Sequence, residues 1–542
     1  MKKYFLLAFM VINFTAFSQT RIVMDSLMFS LSVPQVENIF TGLGIPPSAV
    51  GVEYAVDVHR LIYTTMNYDS SATIASGLLL IPKGVDYCKL PIISYQHGTI
   101  VDKRQVPSRW VGQERYISLA IASNGLISIM PDYLGMGDGI GLHPYQNART
   151  EAFSVVDMIR ATKEVCDSVH VGYGSQLFLF GYSQGGHATM AAHRMIQEQL
   201  AGEMEVTASA PMSGAYDMSG IQTDLLLLEK PYSDPYYLPY LIFGNNPIYH
   251  FFTNPSDILK APYDVKLPPL MNGTTSSNKI NQAMNDTVKR IFKDNIIDSF
   301  NTNPNYFFRQ FLKDNDVYQW VPKAPTRMYF CTKDEKVPYQ NTYKAFAYFK
   351  QNGALNVDTF NSGELLHTDC AQPSLLSAKL WIDGFRTRAW KFTPVSQPSS
   401  TSANTGVASF TIYGGKAPFR YLWNNSDTTA SISGLSPGDY TCTITDANGC
   451  VKVATVNVNT VSGIDNITTS GFSIYPNPAH DLIHISLQKF EKNQELEVLD
   501  VQGRIVKTQK INDLQNEVDL QNLSSGIFFI KIGNKYTKFI KQ

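Results

Sequence analysis

The sequence lacks net charge, any long cluster of Lys and Arg, and any Cys-x-x-Cys pair, and each absence removes a class of function. Forty-five basic residues stand against 46 acidic ones, for a net charge of -1. Such a chain has no field to gather nucleic acid or an anionic membrane surface, so neither is expected as a partner. The six cysteines include no close pair, and no His stands at finger-type distance from two of them. This argues against a structural zinc site, and neither a metal nor a cofactor is expected. Past the first twenty residues no run is long and apolar enough to span a bilayer, which takes about 20 residues, so no transmembrane segment is expected.

What is present begins with an address. Lys2 and Lys3 precede the apolar run Tyr4 to Phe17, and the small Ala16 and Ser18 stand where a signal peptidase reads. Residues 1–18 are therefore read as a signal peptide, which places the protein outside the cell and permits disulfides. At 542 residues the chain exceeds one ordinary core of about 250–300 residues, so several domains are expected.

From Ala49 to Phe360 apolar runs alternate with helical patterns. The runs Thr73–Ile81, Leu90–Tyr95, Gly125–Met130, Gln176–Phe180, Val206–Ala210, Arg327–Cys331 and Leu355–Phe360 read as strands, and Glu151–Val169 and Gly185–Gln199 as helices. This is the signature of a mostly parallel sheet covered by helices, entered through an antiparallel pair. Residues from about 219 to 323 break the rhythm with aromatic and proline-rich sequence such as Pro231 to Tyr237. That stretch reads as an insertion, either a helical excursion or a lid over a pocket. The polar stretch Pro394 to Ser402 reads as part of a linker, over 393–405, that closes a domain running from 19 to 392. Beyond it two small all-β units are expected, at 406–462 and 468–542.

Two segments fit G-x-S-x-G: Gly181 to Gly185 around Ser183, and Gly434 to Gly438 around Ser436. Only the first has a buried strand before it and a helix after it, as a strained nucleophile elbow requires. Ser436, beside Pro437, reads as a turn serine. A serine hydroxyl is inert without a base to take its proton and a carboxylate to hold that base. On an α/β-hydrolase fold both follow the serine in the chain. Asp334 stands in the loop after the strand Arg327–Cys331, with Glu335 as its neighbour and rival. His367 is the base by elimination, since His480 and His484 lie in the terminal β unit. The oxyanion donors are read as the backbone N–H groups of Gln184 and of Gly98 or Thr99, in the turn after Leu90–Tyr95. His97 supports that turn, and Asp132 and Tyr133, with Tyr182, shape the pocket. His187, on the elbow helix, reads as a packing residue. The glycine-rich loop Asp132 to Gly139 has no Lys-Ser/Thr pair to make it a phosphate cradle.

Together His97-Gly98-Thr99, Asp132-Tyr133-Leu134-Gly135, Gly181 to Gly186, Asp334 before Val337-Pro338, and His367 resemble the secretory-lipase (lipase A type) branch of the α/β-hydrolases, over about residues 40–390. The resemblance implies hydrolysis of a small-molecule or lipid carboxylic ester, a lid between serine and acid, and the triad Ser183, Asp334, His367. A serine peptidase or a polysaccharide deacylase with the same triad, and a surface adhesin with an inert hydrolase scaffold, remain open. The segment with Tyr421-Leu422-Trp423 and Asp446-Ala447-Asn448-Gly449-Cys450 resembles the Ig-like repeat of gliding-motility adhesins. The last segment, with Tyr475-Pro476-Asn477-Pro478 and Ser525 to Lys531, is similar to the C-terminal sorting domain of type IX secretion substrates. This implies the type IX machinery as a partner and a secreted or outer-surface location. Cys331 and Cys370 flank the loops of the acid and the base and are expected to pair.

Overall fold

The computed structural model describes residues 20–85, 88–400, 403–461, 471–489 and 494–542; the signal peptide read at 1–18 lies outside them. The chain divides into two compact units. The first holds everything described up to Phe392 together with Ile412–Phe419 and Thr445–Lys452, and the second holds Thr393–Thr411, Arg420–Ile444 and Val453–Gln542.

The first unit is built on a nine-stranded sheet. Its strands are β1 (Ile22–Leu31), β2 (Ala55–Met66), β3 (Ala72–Lys83), β4 (Leu90–Gln96), β5 (Ile127–Pro131), β6 (Tyr173–Tyr182), β7 (Ala208–Met212), β8 (Thr326–Phe330) and β9 (Val357–Asn361). The spatial order is β1-β2-β3-β5-β4-β6-β7-β8-β9. The first three strands and the β3–β5 contact are antiparallel. From β5 through β4 to β9 every pairing is parallel. Every residue of β4, β5 and β7 is buried, because helices cover both faces of a parallel sheet and its strands become continuous apolar runs. Leu78, Leu80, Tyr95, Phe178, Phe180, Met212 and Tyr329 meet in the main core. β1 and the helix Val33–Gly42 that follows it precede the region that sequence periodicity singles out, since an edge strand half exposed to water carries a weak apolar signal.

Between β7 and β8 the chain leaves the sheet. Helices Tyr237–Tyr249, Asp294–Thr302 and Phe307–Asp314, with several shorter turns, occupy the expected insertion. They gather around an apolar core of their own that includes Tyr232, Tyr240, Leu241, Phe292, Phe300 and Phe311. Its two stems are tied at the base: Val317 N donates to Tyr216 O, and Ser219 donates to Asp316 through N at 3.0 Å and Oγ at 2.6 Å.

The first part of the expected linker is a strand. Lys391–Gln397 is an edge strand of a three-stranded sheet with Gly406–Tyr413 and Ser431–Leu435. Pro394 is tolerated there because an edge strand has one side on which no N–H is needed. Arg420–Trp423, Gly438–Thr445 and Val451–Val458 form another three-stranded sheet. The boundary also differs from expectation. Two pieces of the β repeat belong to the first unit, where Cys450 is bonded to Cys88. The expected bond Cys331–Cys370 is present, and Cys166 and Cys442 are buried free thiols. At the C-terminus, a three-stranded sheet (Phe472–Tyr475, Leu482–Leu487, Gln515–Asp519) and a four-stranded one (Ile505–Lys510, Glu495–Leu499, Gly526–Ile532, Lys535–Lys541) share one core. Ile483, Ile485, Val498, Val518, Ile530 and Phe539 fill it.

Candidate active site

Ser183 sits between β6 and the helix Gln184–Gln199 with φ 61° and ψ -119°, a conformation that costs a non-glycine residue of order 1–3 kcal/mol. The turn is held shut by contact. A Cβ on Gly185 would lie 1.8 Å from Gln96 O, and one on Gly181 would lie 2.4 Å from Gly185 O. Glycine is therefore required at both positions for strand and helix to approach. Ser183 N donates to Met212 O on β7 at 2.9 Å, which presents the hydroxyl at the C-terminal edge of the sheet.

The loops after β8 and β9 bring the other two groups to that edge. His367 Nε2 lies 2.8 Å from Ser183 Oγ, and His367 Nδ1 lies 2.7 Å from Asp334 Oδ2. Asp334 Oδ1 accepts the Val337 and Lys336 N–H groups at 2.8 and 3.1 Å, which fixes the carboxylate. A carboxylate on Nδ1 selects the tautomer whose Nε2 accepts the serine proton. Glu335, the rival, turns elsewhere. Its Oε2 accepts His367 N at 2.9 Å, capping the helix His367–Asp383 at its first residue. Tyr182 braces the ring from behind, with its centroid 5.1 Å from that of His367 and its hydroxyl donating to His367 O. The Cys331–Cys370 bond joins the end of β8 to the first turn of the histidine helix.

Gln184 is the first residue of its helix, so its backbone N–H has no intrahelical acceptor. Gly98 packs against the serine: a Cβ there would lie 4.0 Å from Ser183 Cβ. Its N–H, however, is taken by the Glu114 carboxylate at 3.1 and 3.3 Å. Of the two donors read in that turn, Gly98 is thereby removed and Thr99 remains. Thr99 Oγ1 lies 2.9 Å from Tyr145 OH.

Three residues expected around the pocket are structural. His97 is buried, with Nδ1 2.7 Å from Gly98 O and Nε2 3.3 Å from Asp132 O. Tyr133, at φ 72°, donates its hydroxyl to His97 O at 3.0 Å. Asp132 does not line the pocket. Its carboxylate is fully buried and accepts Ser76 Oγ and Ser108 N, because a buried acid must be hydrogen-bonded on every side. Burial pushes its pKa up, against the opposing effect of those two bonds.

Several residues at the site carry no motif. From the insertion, Tyr237 stacks on Tyr145 at 12° and Tyr240 donates to Ile100 O at 3.0 Å, covering the Thr99 turn. Tyr232 donates to Lys336 O, and Lys336 pairs with Asp234 at 2.7 Å, covering the Asp334 loop. The aromatic run Pro231 to Tyr237 is the trace in the sequence of Tyr232, Asp234 and Tyr237, and Tyr240 lies beyond it. Among the described residues no cluster of His, Cys, Asp and Glu could hold a metal, and no helix is long and apolar enough to cross a membrane.

Residues 103–225 match the family model for secretory lipases, and residues 473–542 match that of the secretion system C-terminal sorting domain. The chain carries a secretory-lipase domain and a secretion sorting domain. It is a secreted or cell-surface hydrolase of the lipase/esterase type. Solved structures place the secretory-lipase domain among α/β-hydrolases. The rice cell wall degrading esterase LipA from Xanthomonas oryzae, in a ligand-bound form, is 26% identical, with a TM-score of 0.61 over 68% of this chain and 99% of that one. A Legionella pneumophila protein assigned as a hydrolase is 28% identical, with a TM-score of 0.62 over 67% of this chain and 98% of that one. Candida antarctica lipase A in its closed state, 18% identical with a TM-score of 0.50 over 68% of this chain and 84% of that one, shares the fold. No curated protein sequence matches the chain.

Proposed function

We propose that the secretory-lipase domain hydrolyses carboxylic esters through an acyl-enzyme on Ser183, with His367 as general base and Asp334 as the group that orients it. The observation that carries this reading is the unbroken relay of 2.8 Å from Ser183 to His367 and 2.7 Å from His367 to Asp334. As Ser183 Oγ attacks the ester carbonyl, its proton passes to His367 Nε2, and Asp334 stabilises the imidazolium that forms. The carbonyl oxygen becomes an oxyanion held by the N–H groups of Gln184 and Thr99. Collapse of this tetrahedral adduct expels the alcohol, which takes the proton from His367 Nε2. Water then attacks the acyl-enzyme by the same route and releases the acid.

The insertion is read as a lid, because its tyrosines cover both the Thr99 turn and the Asp334 loop. The β repeat is read as a spacer, and the sorting domain as the address recognised by the type IX secretion machinery. The direct test is turnover of p-nitrophenyl esters of graded acyl length by the full-length protein. The wild type releases p-nitrophenol, and Ser183→Ala lowers kcat by at least about 10⁴-fold, as expected when a triad nucleophile is removed. Amide turnover exceeding ester turnover would favour a peptidase, and unchanged activity in Ser183→Ala would refute the reading.

A further inference from the structure

The back of the elbow helix holds a fully buried acid and histidine that the reaction itself does not use. Glu151, in the first turn of the helix Ala148–Ser168, and His187 are both shielded from solvent. His187 Nδ1 donates to Glu151 Oε2 at 2.7 Å, and His187 Nε2 donates to Asn315 O at 2.9 Å. Two ring nitrogens that both donate describe an imidazolium. Burial, the largest single influence, would depress its pKa, but the Glu151 carboxylate, the Asn315 carbonyl and the nearby Asp316 together outweigh it and hold the pKa above the ordinary value. The other carboxylate oxygen, Glu151 Oε1, accepts Gln184 Nε2 at 2.8 Å. Gln184 Nε2 also donates to His143 Nε2 at 2.7 Å, and His143 Nδ1 donates to Leu134 O at 2.8 Å. His143 is therefore neutral, with burial lowering its pKa to about 4.

Each link has only one polarity. A carboxylate and a lone-pair nitrogen both demand hydrogen from the Gln184 amide, so its nitrogen must face them, and its Oε1 is left buried with no hydrogen-bond partner among the described residues. An unpaired buried oxygen is costly, and it persists here because the two donations on the other side fix the side chain. Gln184 is also the residue whose backbone N–H is read above as an oxyanion donor, and it adjoins the strained Ser183. The network ends on Asn315, the residue after the last helix of the insertion. Asn315 is itself held by donation from Ala148 N to its Oδ1 and by its own Nδ2 to Phe311 O.

We propose that Glu151 is a positioning residue for catalysis: through Gln184 it aims an oxyanion-donating N–H, and through His187 it ties that donor to the exit of the insertion. The inference rests on the acyl-enzyme reading above. Preorganised donors act only where charge develops in the transition state, so the effect falls on kcat rather than on substrate binding.

Two variants of the full-length protein separate aim from bulk. Glu151→Leu keeps volume but removes both acceptors, and should lower kcat for a p-nitrophenyl ester at least tenfold with KM within about threefold, against the 10²–10³-fold typical of losing an oxyanion donor outright. Glu151→Gln can restore the links, its amide oxygen accepting from Gln184 and its NH₂ donating to a neutral His187, and should return kcat to within about fivefold of wild type. A boronic acid that forms a tetrahedral adduct on the serine should lose affinity in Glu151→Leu and regain it in Glu151→Gln. Should Glu151→Leu not fold, Gln184→Leu cuts the same tether and leaves the backbone N–H in place, and it should show the same loss confined to kcat. A folded Glu151→Leu or Gln184→Leu with wild-type kcat, or a Glu151→Gln as slow as Glu151→Leu, would overturn the inference. If Ser183→Ala abolishes activity while these variants do not, only the positioning role fails; if Ser183→Ala retains activity, the underlying reading fails.

Discussion

Asp334 and Glu335 are adjacent carboxylates with different tasks, and the difference lies in which atom of His367 each one meets. Asp334 takes the ring N–H at 2.7 Å and Glu335 takes the backbone N–H at 2.9 Å. Asp334→Asn should lower kcat by about 10³–10⁴-fold, because an amide no longer dictates the tautomer. Glu335→Gln keeps an acceptor for the helix N–H, so it should cost activity only several-fold and stability no more than about 1 kcal/mol. Steady-state kinetics and thermal unfolding of the two variants check this, and the reverse ranking would exchange their roles. Sequence alone left the pair open because both residues follow the same strand, and only their side-chain directions separate them. Ser183 and His367 were legible because chain order and an elbow flanked by strand and helix leave few alternatives. Gly98 was misread as a possible donor because Glu114, which takes its N–H, is brought to it by the fold and carries no motif. Glu151, fully buried, and Glu114, half-buried, share that invisibility: each is an acid that serves a turn away from it in sequence.

Among the elements, the insertion between β7 and β8 was visible by where the sheet rhythm stops, while its helices and the targets of its tyrosines were not. Its proline and aromatic residues have no clear period, so the pattern reveals an excursion without showing what it covers. The stems carry a titratable clasp. Burial raises the Asp316 carboxyl to about 6, against the lowering effect of its bonds from Ser219, while Asp217 adds to the rise. A carboxyl raised in the folded state stabilises it while protonated, and this contribution is lost as pH rises from the ordinary value of 3.8 through about 6. At 1.36 kcal/mol per pH unit the loss is at most about 3 kcal/mol. Asp316→Asn retains an acceptor for Ser219 N and has nothing to ionise. The fall in Tm between pH 5 and pH 8 should therefore be smaller in the variant than in the wild type, as read by calorimetry; an identical fall would show that the clasp does not titrate in this range.

At the scale of the whole molecule, composition and turn-rich patterning disclosed the C-terminal β units, and the positions of strands β3 to β9 were legible to within a few residues, whereas the edge strand β1 was not. The division between units was not. Cys88 and Cys450 are 362 residues apart, and no spacing rule reaches across such a distance. Nor does the polar, proline-containing stretch after Trp390 disclose that it is an edge strand. The pairing is directly countable. Of the six cysteines in the chain, two should titrate as thiols in the denatured unreduced protein, Cys166 and Cys442, and all six after reduction; four before reduction would mean that one bond does not form. All the functional statements depend on one nucleophile, and intact-protein mass spectrometry after treatment with a fluorophosphonate tests it most directly. A single adduct on Ser183, formed in step with loss of ester turnover and absent from Ser183→Ala, is the predicted result. Full turnover with no adduct at Ser183, or an adduct on another serine that accounts for the inhibition, would contradict it.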